Sequence, residues 1–94
     1  MATDLRFLDD ARWNPERDCV EVTAEVSNEA GVWQTTCVIT EDALGALVRL
    51  SGTADPVRVF HDVEPRLARA AARVARTPIP EIALTRREIV TAPR

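Results

Sequence analysis

Two stretches of alternating apolar and polar residues, residues 19–27 and 32–39, lie on either side of a short polar segment and predict a β-hairpin. Pairing Ser27 with Val32 puts the apolar residues of both strands on one face, whereas a slip of one residue would put Trp33 among glutamates. The hairpin therefore has one preferred register, with one apolar face and one polar face.

A helix is predicted directly after the hairpin. Thr40 is a good N-cap, and the acidic pair Glu41 and Asp42 suits the positive end of a helix dipole. Gly52 can end this helix. The apolar arc of the helix consists of Ala43, Leu44, Leu47, Val48 and Leu50.

A second helix is predicted from Asp55, which can act as its cap, and Pro56, which suits its first turn. Pro65 interrupts the pattern, so we expect either a kink at residues 61–65 or two abutting helices. The apolar stripe keeps its phase across the proline and consists of Phe60, Val63, Leu67, Ala71 and Val74.

The remaining strands are shorter. Residues 5–8 are predicted to form a first strand, residues 14–18 a turn, and residues 81–84 a last strand. Residues 85–88 have the spacing of a capping box and predict a short final helical turn. We therefore predict one α+β domain over residues 1–94, with a mainly antiparallel sheet, the order β-β-β-α-α-β, and two helices packed on one face.

Charge is distributed unevenly along the 94 residues. Residues 1–55 carry eleven acidic residues and four arginines, whereas residues 56–94 carry four acidic residues and eight arginines. The chain has no lysine, so it has no side-chain amine for Schiff-base chemistry. It shows no signal peptide and no apolar stretch near the ~20 residues of a membrane span. Two cysteines at non-motif spacing suggest a cytoplasmic protein.

Few side chains are candidates for chemistry. Cys37 is predicted as a small buried hydrophobic residue, and Cys19 faces the other side of the hairpin. Cys19 is the candidate for a reactive thiol, but the neighbouring Glu21 and Asp18 are expected to raise the pKa of its thiol rather than lower it. His61 is the single histidine, and a metal site would require it to meet the distant Asp9 and Asp10. We therefore predict no catalytic site, no metal site and no cofactor.

Aromatic and basic residues supply the other candidates. Trp13 and Trp33 are predicted as core anchors rather than as surfaces for ligand stacking. Asp62 is placed to form helical ion pairs with Arg58 and Arg66. The second helix has an arginine face, which is either solvated or a binding site for an anionic partner. The face consists of Arg58, Arg66, Arg69, Arg73 and Arg76, of which Arg66, Arg69, Arg73 and Arg76 form the candidate site, with Arg86 and Arg87 as extensions.

Several short motifs resemble a small bacterial family, the domain of unknown function 1488. The most specific is Cys-Val-Ile-Thr-Glu-Asp-Ala-Leu at residues 37–44. The resemblance implies a compact α+β fold and implies no activity. Its other motifs are residues 7–9, the turn from Trp13 to Arg17, residues 20–24, Phe60, Ala70, Ala71 and residues 82–85.

Together these features predict a non-catalytic, cytoplasmic interaction or regulatory module. The alternative is a weak nucleic-acid binder that uses the arginine face of the second helix, although the chain is net acidic and matches no nucleic-acid motif. An undetected enzyme is the third hypothesis. We expect a protein partner, no membrane contact, and a monomer or modest homodimer joined through an edge strand.

Overall fold

The computed structural model describes residues 3–75 and 77–91 and has an α+β fold with a mainly antiparallel sheet, as the sequence predicts. Its strands are β1 (Asp4–Phe7), β2 (Arg12–Asn14), β3 (Cys19–Asn28), β4 (Gly31–Ile39) and β5 (Glu81–Leu84). Its helices are α1 (Glu41–Ser51), α2 (Pro56–Asp62), α3 (Glu64–Val74) and α4 (Arg86–Thr91).

The hairpin of β3 and β4 is the centre of the sheet. Ser27 pairs with Val32 and Val22 pairs with Cys37, which is the predicted register. Gly31 has a φ of 123°, the left-handed region that favours glycine, and it follows a connection of two residues. The strand pairing and the turn were therefore both predictable from local sequence.

The other strands attach to the two edges of this hairpin. Strands β1 and β2 both pair with β3, one at each end, and β5 pairs in parallel with β4. Parallel neighbours require a long crossover connection, which the segment containing α1, α2 and α3 supplies. The sheet order is therefore β1-β3-β4-β5, with β2 beside β1 on the same edge of β3.

One hydrophobic core joins the apolar face of the sheet to the helices. The residues of β3 in this core occupy alternate positions, so they share one face of the strand. Phe60 is 1% exposed and stacks edge-to-face on Phe7, with ring centroids 5.1 Å apart. The core includes Val20, Val22, Ala24, Val26, Cys37, Ile39, Leu47, Val59, Phe60, Leu67, Ala71, Ile82, Leu84 and Ile89.

Two boundaries differ from the prediction. Strand β1 spans Asp4–Phe7 rather than residues 5–8, and β2 occupies a segment where only a turn from residue 14 onward was predicted. Three residues are too few for periodicity to reveal a strand. Four helices are described rather than two, and none of them is long and apolar enough to cross a membrane.

Helix α1 begins and ends where predicted, but Thr40 caps it differently. The Thr40 hydroxyl lies within hydrogen-bonding reach of Asp42 and of the Leu84 carbonyl oxygen (3.2 Å), and makes no capping bond to the helix. Asp42 instead accepts from the backbone N–H of Ala43 at 2.9 Å and of Arg86 at 3.3 Å. These hydrogen bonds hold the pKa of Asp42 below its usual value, and the bond from Thr40 has the largest effect. The side chain of Leu50 lies outside the described structure.

The predicted second helix is two abutting helices, which was one of the two alternatives. Helix α2 ends at Asp62, and α3 begins at Glu64 with Pro65 in its first turn, where the missing N–H is not needed. Asp55 caps α2 as predicted, because its carboxylate accepts from two backbone N–H groups, at 3.1 and 3.3 Å. The apolar stripe was wrong at Val74, which is 42% exposed, whereas Ala70 is buried.

The polar face of the hairpin is less open than its sequence suggests, because Val38 is only 3% exposed. Strand β5 lies beside it, and Val38 pairs with Ala83. Arg17 donates two hydrogen bonds to Glu81, at 2.9 and 3.0 Å, and thereby links the β2–β3 turn to this edge strand. Arg17 also lies 3.4 Å from Glu21, so the polar face carries a small network of charges.

We expect Leu67→Ala to lower the free energy of unfolding by ~2–5 kcal/mol, because the side chain is fully buried and its removal leaves a cavity. Val74→Ala is the control, since Val74 lies on the same predicted stripe but is exposed, and it should change stability by less than ~0.5 kcal/mol. Urea denaturation of both variants measures the difference. Equal stabilities would contradict the packing of α3.

The Arg17–Glu81 pair should make stability depend on pH. The hydrogen bonds and charge of Arg17 lower the pKa of Glu81, so the pair stabilises the fold above the ordinary glutamate pKa. This contribution is lost as the pH falls through the lowered value. Glu81→Gln should therefore be less stable than the wild type at neutral pH, and the difference should shrink in acid and in high salt.

Glu16→Gln is the control for this pH dependence, because Glu16 is exposed and has no ion pair among the described residues. Thermal melts of the three proteins across the acid range measure the effect. A Glu81→Gln deficit that persists at low pH would assign its effect to packing rather than to charge.

Candidate functional site

A cleft of about 330 Å³ lies between β2, the β2–β3 turn and helices α1 and α2. Positions 41, 44, 45 and 48 of α1 line one wall, because residues three and four apart share a helix face. Leu44 and Val59 are buried beneath the cleft, so its floor is apolar. The lining residues are Trp13, Asp18, Glu41, Leu44, Gly45, Val48, Ala54, Pro56 and Val59.

Trp13 forms the wall opposite α1. It lies in β2 and pairs with Val20, and it is 38% exposed. The prediction that Trp13 is a core anchor was therefore wrong, since its side chain is exposed and lines the cleft. Trp33 packs against the core but is only partly buried, and its indole N–H has no hydrogen-bond partner among the described residues.

Gly45 adds no side chain to the wall that α1 forms. A glycine in a helix interior costs about 1 kcal/mol relative to alanine, and here no positive φ requires it. A Cβ placed on Gly45 would meet no atom within 4 Å, so tight packing does not require it either. The effect that remains is geometric: a side chain at this position would occupy the cleft.

Two carboxylates stand at the rim, one from each side. Glu41 is in the first turn of α1, where the helix dipole favours a negative charge. Asp18 is at the end of the β2–β3 turn with a φ of 50°, a left-handed conformation that aspartate tolerates better than most residues. Both are exposed, and neither has a hydrogen bond or ion pair within the part of the chain that the structure describes.

The arginines singled out from the sequence lie away from this cleft. Arg69 and Arg73 are exposed on α3, and Arg66 is half-buried there, with no hydrogen-bond partner for its Nε among the described residues. Arg76 lies outside the described residues. The break between α2 and α3 separates Arg58 from the others, so the predicted arginine face is not one continuous helix.

The expected helical ion pairs of Asp62 do not form. Within the described chain, Asp62 makes no salt bridge with Arg58 or with Arg66. The break at Val63 changes the spacing that would have aligned them on one helix. His61 instead approaches Glu64, with Nδ1 3.7 Å from Oε1.

His61 and the aspartates of the N-terminal segment have separate surroundings. The ring of His61 contacts Phe60 edge-on, with ring centroids 5.3 Å apart. Asp10 accepts hydrogen bonds from the backbone N–H and the hydroxyl of Thr23, at 2.9 and 2.6 Å, which lower its pKa. Among residues 3–75 and 77–91, no three His, Cys, Asp or Glu side chains are grouped closely enough to hold a metal ion.

Both thiols are free and buried, and they lie on opposite faces of the hairpin. Burial raises the pKa of Cys37 to about 12. Burial also raises the pKa of Cys19, and the negative charge of Glu21 adds a smaller increase. Cys19 therefore lacks the electropositive, accessible surroundings of a reactive thiol.

We expect both cysteines to react slowly with a thiol reagent in the folded protein, because each must wait for local opening and for loss of its proton. Addition of denaturant should release two reactive thiols. The time course of labelling with a chromogenic disulfide measures this. Rapid reaction of one equivalent under native conditions would contradict the burial of Cys19.

Comparison of the chain with protein-family models, with curated proteins and with solved structures found no match. The resemblance to the domain of unknown function 1488 rests on its sequence motifs and stays a prediction. The cleft beside Trp13 is therefore the feature from which a function can be inferred.

Proposed function

We propose that this chain is a non-catalytic interaction module that receives a side chain of a partner protein in the cleft beside Trp13. The observation that carries the proposal is the cleft itself, which has an apolar floor and a half-open aromatic wall. Its volume is near the lower end of the range for small-molecule sites, which suits one or two side chains. Exposed tryptophan at a concave apolar surface is typical of interface anchors.

The chemistry of the lining favours binding over catalysis. Its titratable groups are the two carboxylates of Asp18 and Glu41, and the lining contains no histidine, cysteine, serine or lysine. Both carboxylates are exposed, so neither has the buried surroundings that tune such groups for acid–base work. His61 is not among the lining residues, although a pocket that combined it with carboxylates would favour an enzyme.

Binding of nucleic acid through the arginine face is the second candidate. Arg69 and Arg73 are exposed on α3 and four residues apart. Charged helix faces are commonly just solvated, and no nucleic-acid motif accompanies these arginines. A mobility shift of DNA or RNA that falls steeply with salt would favour this candidate.

We also propose a reducing, cytoplasmic location, which the two free thiols support.

Gly45→Leu tests the module proposal, because it places a side chain in the cleft without changing the charge of the protein. We expect the variant to be up to about 1 kcal/mol more stable than the wild type, since leucine is the better helix former. Peptides selected on the wild type from a displayed library of short random sequences should bind the variant at least tenfold more weakly. Titration calorimetry measures the binding, and thermal melts measure stability.

Gln34→Leu is the matched control, because it also adds an exposed, uncharged leucine but lies on β4 away from the cleft. It should bind the selected peptides as the wild type does. A selection that yields no peptide blocked by Gly45→Leu, while the variant stays folded, would contradict the proposal.

A further inference from the structure

We propose that the group received by the cleft is a basic side chain, and that arginine fits it best. This inference rests on the proposed function and names the chemistry of the partner. The cleft combines an aliphatic floor, a partly exposed tryptophan and two exposed carboxylates. The floor suits the methylene stem of an arginine, and the tryptophan and the carboxylates suit its guanidinium.

The floor and the indole wall suit the stem and the head of such a side chain. Leu44 and Val48 offer an aliphatic surface to a methylene stem. Long basic side chains commonly pack their stems on such surfaces. The indole of Trp13 is the best partner for a cation over an aromatic face, and arginine makes this contact more often than lysine. An arginine also loses less conformational freedom than a lysine for each hydrogen bond that it forms.

The carboxylates supply the charge. Asp18 and Glu41 stand on opposite sides of the cleft, and neither is neutralised by an ion pair within the described chain. Arg17 is next to Asp18 in sequence, but its guanidinium is held by Glu81 and Glu21. The lining contains no basic residue, so an arriving cation meets no like charge there.

The part of the sequence that supplies most of the lining is itself acidic. Most of the lining comes from residues 1–55, which carry eleven acidic residues and four arginines. Such an excess of negative charge attracts a basic partner over distances of the order of the Debye length. Association should therefore weaken as salt is added.

A pair of matched tripeptides tests the charge. Acetyl-Gly-Arg-Gly-amide and its citrulline counterpart have nearly the same shape, but citrulline is neutral. We expect the arginine peptide to shift the NMR signals of the Gly45 amide and the Trp13 indole N–H of the labelled full chain. The citrulline peptide, at equal ionic strength, should bind about tenfold more weakly, because it loses both the cation–π contact and the attraction to the carboxylates.

Variants of the two carboxylates assign the effect to the cleft. Asp18→Asn and Glu41→Gln should each weaken binding of the arginine peptide by about threefold, and leave citrulline binding unchanged. Asp62→Asn is the control, because it removes the same charge from an exposed position that does not line the cleft. It should leave binding of both peptides nearly unchanged.

The outcomes separate this inference from the function on which it rests. A third tripeptide, with norleucine in place of arginine, serves as the uncharged aliphatic reference. If all three tripeptides shift the Gly45 and Trp13 signals equally, the cleft binds side chains but the inference of a basic partner is wrong. If none of them shifts these signals, both the module proposal and the basic partner are wrong. A preference for arginine that survives Asp18→Asn with Glu41→Gln would place the cation elsewhere and also overturn the inference.

Discussion

The register of the β3–β4 hairpin is the constraint on which the rest of the structure depends. Because side chains alternate strictly along a strand, pairing Val22 with Cys37 places Val20, Val22, Ala24 and Val26 of β3 on the same face as Cys37 and Ile39 of β4. That face then requires a cover, which the core residues of the helices supply. The same pairing leaves two edges, to which β1 and β2 attach on one side and β5 on the other.

The parallel pairing of β5 with β4 determines how the helices are used. A parallel neighbour cannot be reached by a tight turn, so the chain must cross the sheet between residue 39 and residue 81. The helices in this segment also supply much of the core. Asp42 ties the start of this connection to the helix that follows β5, because its carboxylate accepts from the N–H groups of Ala43 and Arg86. The first turns of α1 and α4 are thereby held together.

Local patterns predicted what local physics determines, and failed where distant segments meet. The hairpin register and the cap at Asp55 each depend on residues close in sequence, and both were confirmed. The last strand was confirmed in its bounds, but its parallel pairing with β4 was not predicted. The burial of Val38 follows from the pairing of β5 with β4, a contact between segments more than forty residues apart. The burial predicted for Val74 was wrong, because the buried face of the chain at the end of α3 continues from Ala71 to Ala75 and leaves Val74 exposed.

The cleft escaped prediction for the same reason, since its walls come from β2, the β2–β3 turn, α1 and α2. One signal was nevertheless present in the sequence: Gly45 stands in the middle of a predicted helix, next to the apolar Leu44. Gly45 weakens its helix and serves neither a turn nor a close contact there. Conflicts between local propensity and the surrounding fold concentrate at functional sites. In the proposed function, the space that Gly45 leaves in the cleft is the space that the partner's side chain occupies.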